Sequence, residues 1–314
     1  MYEVRFSSSL FEGIPDLATW TKVEPVKKGW SKDEKYYVET DQGEKLLVRI
    51  SDISEYPRKE KEYEALLGLG GCSILMSRPS AFGTCNAGNS VFMITTWIDG
   101  VSAEEYLPGL APKAQYELGY IAGRVLKEIH AIPAPDGQPD WAERFNRKID
   151  RNIRNHEACE FRIPHADKMV SYINSNRHLL ENRPQVFQHG DYHCGNMVVT
   201  KQGELGIIDF NRFDYGDPWD EFNRIIWCAS VSGHFASGRI NGYFCDDVPE
   251  EFFRLMALYI GSNMLSSIPW AVPFGQAEVD HMIAQARAVM DWYEDYRRYK
   301  PRWYVKEPRQ ADDG

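Results

Sequence analysis

The chain has 314 residues, 43% of them hydrophobic, nine tryptophans and a formal net charge of −10, enough apolar material for a large core and, by length, one to three domains. Its acidity argues against nucleic acid or an acidic membrane surface as a partner, since polyanions need a basic footprint, and mildly favours a cationic one. No uninterrupted apolar run approaches 18 residues, residues 1–10 carry charges and serines in place of a signal-peptide core, and the six cysteines form no CxxC pair, so a soluble, cytoplasmic protein with reduced thiols is expected.

In chain order, KKGWSKDE at 27–34 puts Gly29 and Ser31 in a loop. That loop is either a surface turn or one whose backbone amides cover phosphates. Residues 36–40 and 45–50 are β-rich runs separated by Asp41, Gln42 and Gly43, which is a hairpin signal. Strand alternation puts Leu47 and Arg49 on one face and Leu46, Val48 and Ile50 on the other. A helix over 58–69 follows, with Tyr63, Leu66 and Leu67 as its apolar face, and then a strand over 91–96 that runs into TTWIDG. Trp97 is placed either to stack or simply to pack on the surface. Beyond residue 98 the composition becomes helical. Helices are expected over 112–131, within 217–233, and over 249–267 and 276–299, with a basic and polar segment at 141–181 and a polar tail at 301–314.

The chemistry is concentrated at 189–209. There HGDYHCGN leads into an apolar run (197–200), a turn at Lys201, Gln202, Gly203 and Glu204, and a second run (205–208) that ends at Asp209. Such a hairpin brings Asn196, before its first strand, near Asp209, after its second, as two oxygen donors for a magnesium ion carrying ATP phosphates. Asp191 then faces the acceptor hydroxyl and accepts or orients its proton. This is the layout of a kinase catalytic loop. Two blander readings are a transition-metal cluster of His189, Asp191, His193 and Cys194, whose ligands crowd without the spaced pairs of structural zinc sites, and a merely well-capped turn.

On these residues the sequence resembles the aminoglycoside phosphotransferase and choline-kinase-like family. His189, Gly190, Asp191, His193 and Asn196 match its HGDxHxxN signature, and Ile208, Asp209 and Phe210 its IDF; the likeness continues through GDPWDEF at 216–222 and through 117–135. The resemblance implies a two-lobed protein-kinase-like α+β fold. A small, mainly β nucleotide lobe would span 1–98 and a helical catalytic and acceptor lobe 99–300, with ATP (GTP possible) and Mg2+ in the cleft. It assigns Ser31 to the nucleotide loop, the backbone of Thr96 and Ile98 to the adenine edge, and Arg212 either to charge on the transferred phosphate or to a structural salt bridge. It also places Arg49 where the family usually has a phosphate-binding lysine, with Glu62 as its helix partner and Glu60 as the runner-up. Asp220 would be a structural helix-end residue, and Glu157, Glu160 and Asp167 candidates for the acceptor pocket or merely a solvated face.

The function expected is phosphoryl transfer from ATP to a hydroxyl of a small, cationic acceptor. An aminoglycoside-type antibiotic leads, followed by choline or a methylthioribose-like sugar, with the chain a monomer or homodimer. A protein kinase is disfavoured because HGD replaces HRD, DFN replaces DFG, and no APE-ended segment follows. Arg49 in place of lysine keeps a nucleotide-binding pseudokinase as the alternative of another class.

Overall fold

The computed structural model describes residues 9–27 and 32–306. Two compact units divide the chain. The first runs to Val101 and takes in Val198–Phe213; the second comprises Ser102–Met197 and the chain from Asp214 onward.

The first unit is built on five strands: β1 (Trp20–Pro25), β2 (Glu34–Thr40), β3 (Lys45–Asp52), β4 (Pro79–Cys85) and β5 (Ser90–Thr96). They pair antiparallel in the order β1-β2-β3-β5-β4. Gly43, at φ +79°, closes the β2–β3 turn in a conformation that side chains disfavour. The alternation read from β3 holds: Val48 and Ile50 enter an apolar core with Val38, Phe92, Ile94 and Phe11, and Leu46 packs against it.

Helix α1 (Tyr56–Gly68) departs from its expected face. Its buried positions are Lys59, Glu62 and Leu66, while Leu67 is 54% exposed. Two charged residues are therefore interior, and only specific partners make that tolerable.

After β5 comes the two-residue strand β6 (Val101–Ser102), and hairpin β8 (Met197–Val199) and β9 (Leu205–Ile207) turns at Gly203, φ +83°. Within the first unit Ile207 forms a parallel bridge with Met76.

The second unit contains α2 (Ala103–Tyr106), α3 (Pro112–Ile129), α4 (Trp141–Ala158), α5 (Ala166–Asn176), α6 (Ile225–Val231), α7 (Gly233–Phe244), α8 (Glu250–Ala271) and α9 (Gln276–Trp292). Short strands β7 (Val186–Gln188) and β10 (Asp214–Gly216) pair antiparallel. Helix α8 is long and apolar enough to cross a membrane by composition, yet 15 of its residues are buried within this unit. The 141–181 segment resolves into α4, α5 and a 3-10 turn, Arg177–Leu180.

Helices α3 and α7 meet backbone to backbone through glycines on both sides. A Cβ at Gly119, Gly123, Gly238 or Gly242 would lie 2.0–2.2 Å from a carbonyl oxygen of the opposite helix. The first residues of the expected polar tail pack on this pair: Val305 N–H donates to Ser237 Oγ, and Asn241 and Tyr116 donate to the Lys306 carbonyl.

Candidate active site

The loop 189–196 leaves β7 and is held from beneath by buried charge. Glu221, 2% exposed, accepts from Gly190 N–H at 3.1 Å and from Tyr192 N–H at 3.4 Å. His130 Nε2 lies 3.7 Å from its other side. Burial pushes the Glu221 carboxyl up, but His130, His189 and the Gly190 amide outweigh it and hold the group down at about 2.

Arg239, fully buried, donates to the carbonyls of Tyr192 (2.7 Å) and Glu221 (3.3 Å) and lies against the rings of Tyr192 and Phe222. Asp217 takes a two-point contact from Arg183 and a hydroxyl from Tyr259, while its carbonyl accepts from Gln188 at the end of β7. The GDPWDEF segment therefore fixes both the approach to the loop and its backbone. Asp220 opens the 3-10 turn Asp220–Arg224, a helix-end position.

At the loop surface Asp191 faces Arg224, with Nε 3.2 Å from Oδ1. Asn196 Nδ2 donates to the Asp191 carbonyl at 3.0 Å and lies 3.4 Å from its Oδ2. These bonds employ the nitrogen of the Asn196 amide and leave Oδ1 outside them. His189 Nδ1 accepts from Asp191 N–H, and His193 Nδ1 from Gly195 N–H, so both imidazoles serve the loop backbone. That is a local reason for histidine here other than metal ligation.

In the first unit Arg49 is 7% exposed. Its NH1 donates to Glu62 Oε1 at 2.5 Å, and Nε and NH2 both reach Asp33 Oδ2, at 2.9 and 2.6 Å. Burial lowers the guanidinium's affinity for its proton, but the charges of Glu62, Asp33 and Asp209 raise it well above the usual value. Asp209 itself sits at φ +66°, a left-handed conformation unusual for a side-chain-bearing residue. Glu60 is exposed and is not the partner.

The Thr96 N–H is committed to the Arg78 carbonyl and its hydroxyl accepts from Arg78 N–H; among the described residues no protein acceptor takes the Ile98 N–H. The Ile98 side chain packs on Gly206, where a Cβ would come within 2.9 Å of it. Trp97 packs edge-on against Tyr37.

Asn196 and Asp209 flank the β8–β9 hairpin and fall in different units. Arg212 is exposed in the first unit, and in the second Arg224 stands beside Asp191. Glu157, Glu160 and Asp167 are all exposed. Ser31 and Gly29 lie outside the described residues. Sequence reasoning missed Asp33, Lys59, Arg224, Glu221 and Arg239. Only Glu221 had a sequence signal, as an acid inside GDPWDEF next to the catalytic motif.

An antiparallel sheet carrying a buried arginine–glutamate pair, with an aspartate loop clamped on a buried acid in a helical unit, defines a phosphotransferase of kinase-like fold. The chain belongs to the phosphotransferase enzyme family (APH), whose model matches residues 22–254, a family acting on hydroxyl groups. An aminoglycoside 3′-phosphotransferase of Niallia circulans is 22% identical over 248 residues, covering 75% of this chain and 88% of the relative. The streptomycin–ATP–APH(2″)-IIa ternary complex superposes with a TM-score of 0.66 at 17% identity, over 90% of this chain and 97% of that one. The GDP complex of wild-type aminoglycoside 2′-phosphotransferase-IIIa does so at 0.67 and 15% identity, over 92% and 98%.

Proposed function

We propose that this chain transfers the γ-phosphoryl group of ATP, or of GTP, to a hydroxyl of a small cationic acceptor, with an aminoglycoside-type antibiotic as the leading class and resistance as its consequence. The observation that carries this reading is the Asp191 loop. Its carboxylate is flanked by Arg224 and the Asn196 amide while Glu221 pins the loop amides.

Asp191 takes the proton of the acceptor hydroxyl as that oxygen bonds to the γ-phosphorus and the bond to the β–γ bridging oxygen breaks, its electron pair leaving with the nucleoside diphosphate. Arg224 orients the carboxylate. Arg49, supported by Glu62, and the loop containing Ser31 hold phosphates, the backbone at Thr96 and Ile98 receives the base, and Arg212 offsets charge on the transferred group. Asn196 in the second unit offers a carboxamide oxygen and Asp209 in the first a carboxylate, each a hard donor of the kind magnesium takes, and the ion would neutralise phosphate charge. The net charge of −10 favours cationic acceptors, and relatives in complexes with streptomycin and with GDP support the acceptor class and the range of nucleotides.

The test is magnesium-dependent ADP release from ATP across aminoglycosides, other hydroxylated antibiotics, choline, amino alcohols and sugars, with Asp191→Ala as the control. Stimulation by aminoglycosides that disappears in the variant is expected. Stimulation by choline or a sugar alone would move the acceptor class, and turnover that persists in Asp191→Ala would remove that residue from its role.

A further inference from the structure

Arg49 and Glu62 are not alone in the first unit. Lys59, one helical turn before Glu62 on α1, is 1% exposed, a burial that lysine tolerates only with a partner. Its partner is Asp33: Lys59 Nζ lies 2.5 Å from Asp33 Oδ2, the same oxygen that receives Nε and NH2 of Arg49. The other oxygen accepts from Ser51 Oγ at 2.8 Å. One carboxylate oxygen thus collects three cationic N–H donors from two side chains, the kind of environment a phosphate oxygen occupies.

Glu62, meanwhile, bonds Arg49 through Oε1 only. Its Oε2 is buried without a hydrogen bond, and Lys59 Nζ is 3.6 Å away. The helix carboxylate therefore leaves part of the cationic charge to Asp33. Asp33 stands two residues after Ser31 in sequence, immediately before β2 and next to the segment proposed for the phosphates.

We propose that Arg49 and Lys59 together form a two-cation phosphate site, and that Asp33 is an internal stand-in for phosphate which occupies it in the nucleotide-free chain and is displaced when the nucleotide binds. This deepens the nucleotide-kinase reading and rests on it. A purely structural quartet would have the same contacts but a different response to removal of the Asp33 charge. If Asp33 competes with phosphate, only the fraction of molecules with Asp33 released is competent, and the apparent affinity is reduced by that fraction.

The experiment is a titration of Mg·ATP, and separately of inorganic tripolyphosphate, into the full chain and its Asp33→Asn and Lys59→Met variants. Asp33→Asn keeps the shape and removes the competing charge, so its Kd for both probes should fall by about tenfold. Lys59→Met should raise both by a similar factor. A Kd in Asp33→Asn equal to or weaker than the parent's overturns the inference. Should that variant not fold, Lys59→Met decides alone, because a lysine that only completes a structural quartet would leave tripolyphosphate affinity unchanged. A parent chain that binds no Mg·ATP would instead overturn the nucleotide reading and this inference with it.

Discussion

Arg224 places Nε 3.2 Å from Oδ1 of Asp191, and that Nε makes no aligned hydrogen bond. The contact is an ion pair that orients the carboxylate to which the proposed mechanism assigns the acceptor's proton. Arg224→Gln should therefore lower kcat by about 10- to 100-fold with little change in nucleotide KM, because misplacing a reacting group costs that much. Asp191→Ala should lower kcat by several orders of magnitude while nucleotide binding persists. Steady-state kinetics of both variants checks this; a kcat within twofold of the parent in Arg224→Gln would remove the ion pair from the mechanism.

The guanidinium of Arg49 spans two carboxylates, Glu62 through one nitrogen and Asp33 through two. A lysine offers its donors from a single nitrogen and cannot reproduce contacts made by three separate guanidinium nitrogens, so Arg49→Lys is not conservative here even though lysine is the family's usual residue. It should destabilise the chain by about 2 kcal/mol, roughly one charge-assisted hydrogen bond. Arg49→Met should cost about 3–5 kcal/mol, because it removes the guanidinium that pairs with two buried carboxylates. Denaturant unfolding measures both, and a lysine variant as stable as the parent would show that the two-carboxylate span contributes nothing.

Periodicity and turn chemistry are local, and they were legible in the sequence. The β2–β3 hairpin, α1, and the β8–β9 hairpin with its glycine turn stand within a few residues of their expected bounds. Local signals are silent about partners brought from a distance. Asp33 reads as one of several charges in a polar loop, and Lys59 as a solvated helix residue, because burial of a charge is decided by what the fold stacks above it. Leu67 falls outside the buried face for the same reason: helix α1 turns its charged residues inward. Strands β1 and β4 have no strong alternation to betray them, and α7 carries three glycines that argue against a helix until its close approach to α3 is known.

That approach sets a prediction of sign. A methyl at Gly123 would meet the Arg239 carbonyl oxygen at 2.2 Å and the Tyr243 nitrogen at 2.5 Å, both backbone atoms that cannot swing away. Gly123→Ala should force α3 and α7 apart and cost about 3 kcal/mol or more. Activity should fall with it, since α7 carries the arginine that holds the Tyr192 carbonyl. At Gly68, the end of α1, an added methyl would have nothing within 4 Å, and Gly68→Ala should be neutral or stabilising by up to about 1 kcal/mol. Chemical unfolding of the two variants side by side gives the answer; equal effects would mean the helices tolerate separation.

Glu221 ties the active loop to pH. Its folded-state carboxyl is held at about 2 against an ordinary value of 4.5: burial alone would raise it, and His130, His189 and the Gly190 amide more than reverse that. A group depressed on folding contributes stability that is fully present above the unfolded value and is lost as pH falls from about 4.5 towards 2. The contribution at neutral pH is on the order of 3 kcal/mol. Glu221→Gln should lose about that much at pH 7, because an amide offers one acceptor oxygen where the carboxylate offers two, and its stability should then fall less steeply than the parent's as the solution is acidified from pH 6 to 3. Unfolding free energies measured across that range test the assignment. Parallel curves for parent and variant would mean that the charge of Glu221 is not what anchors Gly190 and Tyr192, and the loop would then owe its position to Arg239 and the β7–β10 pairing.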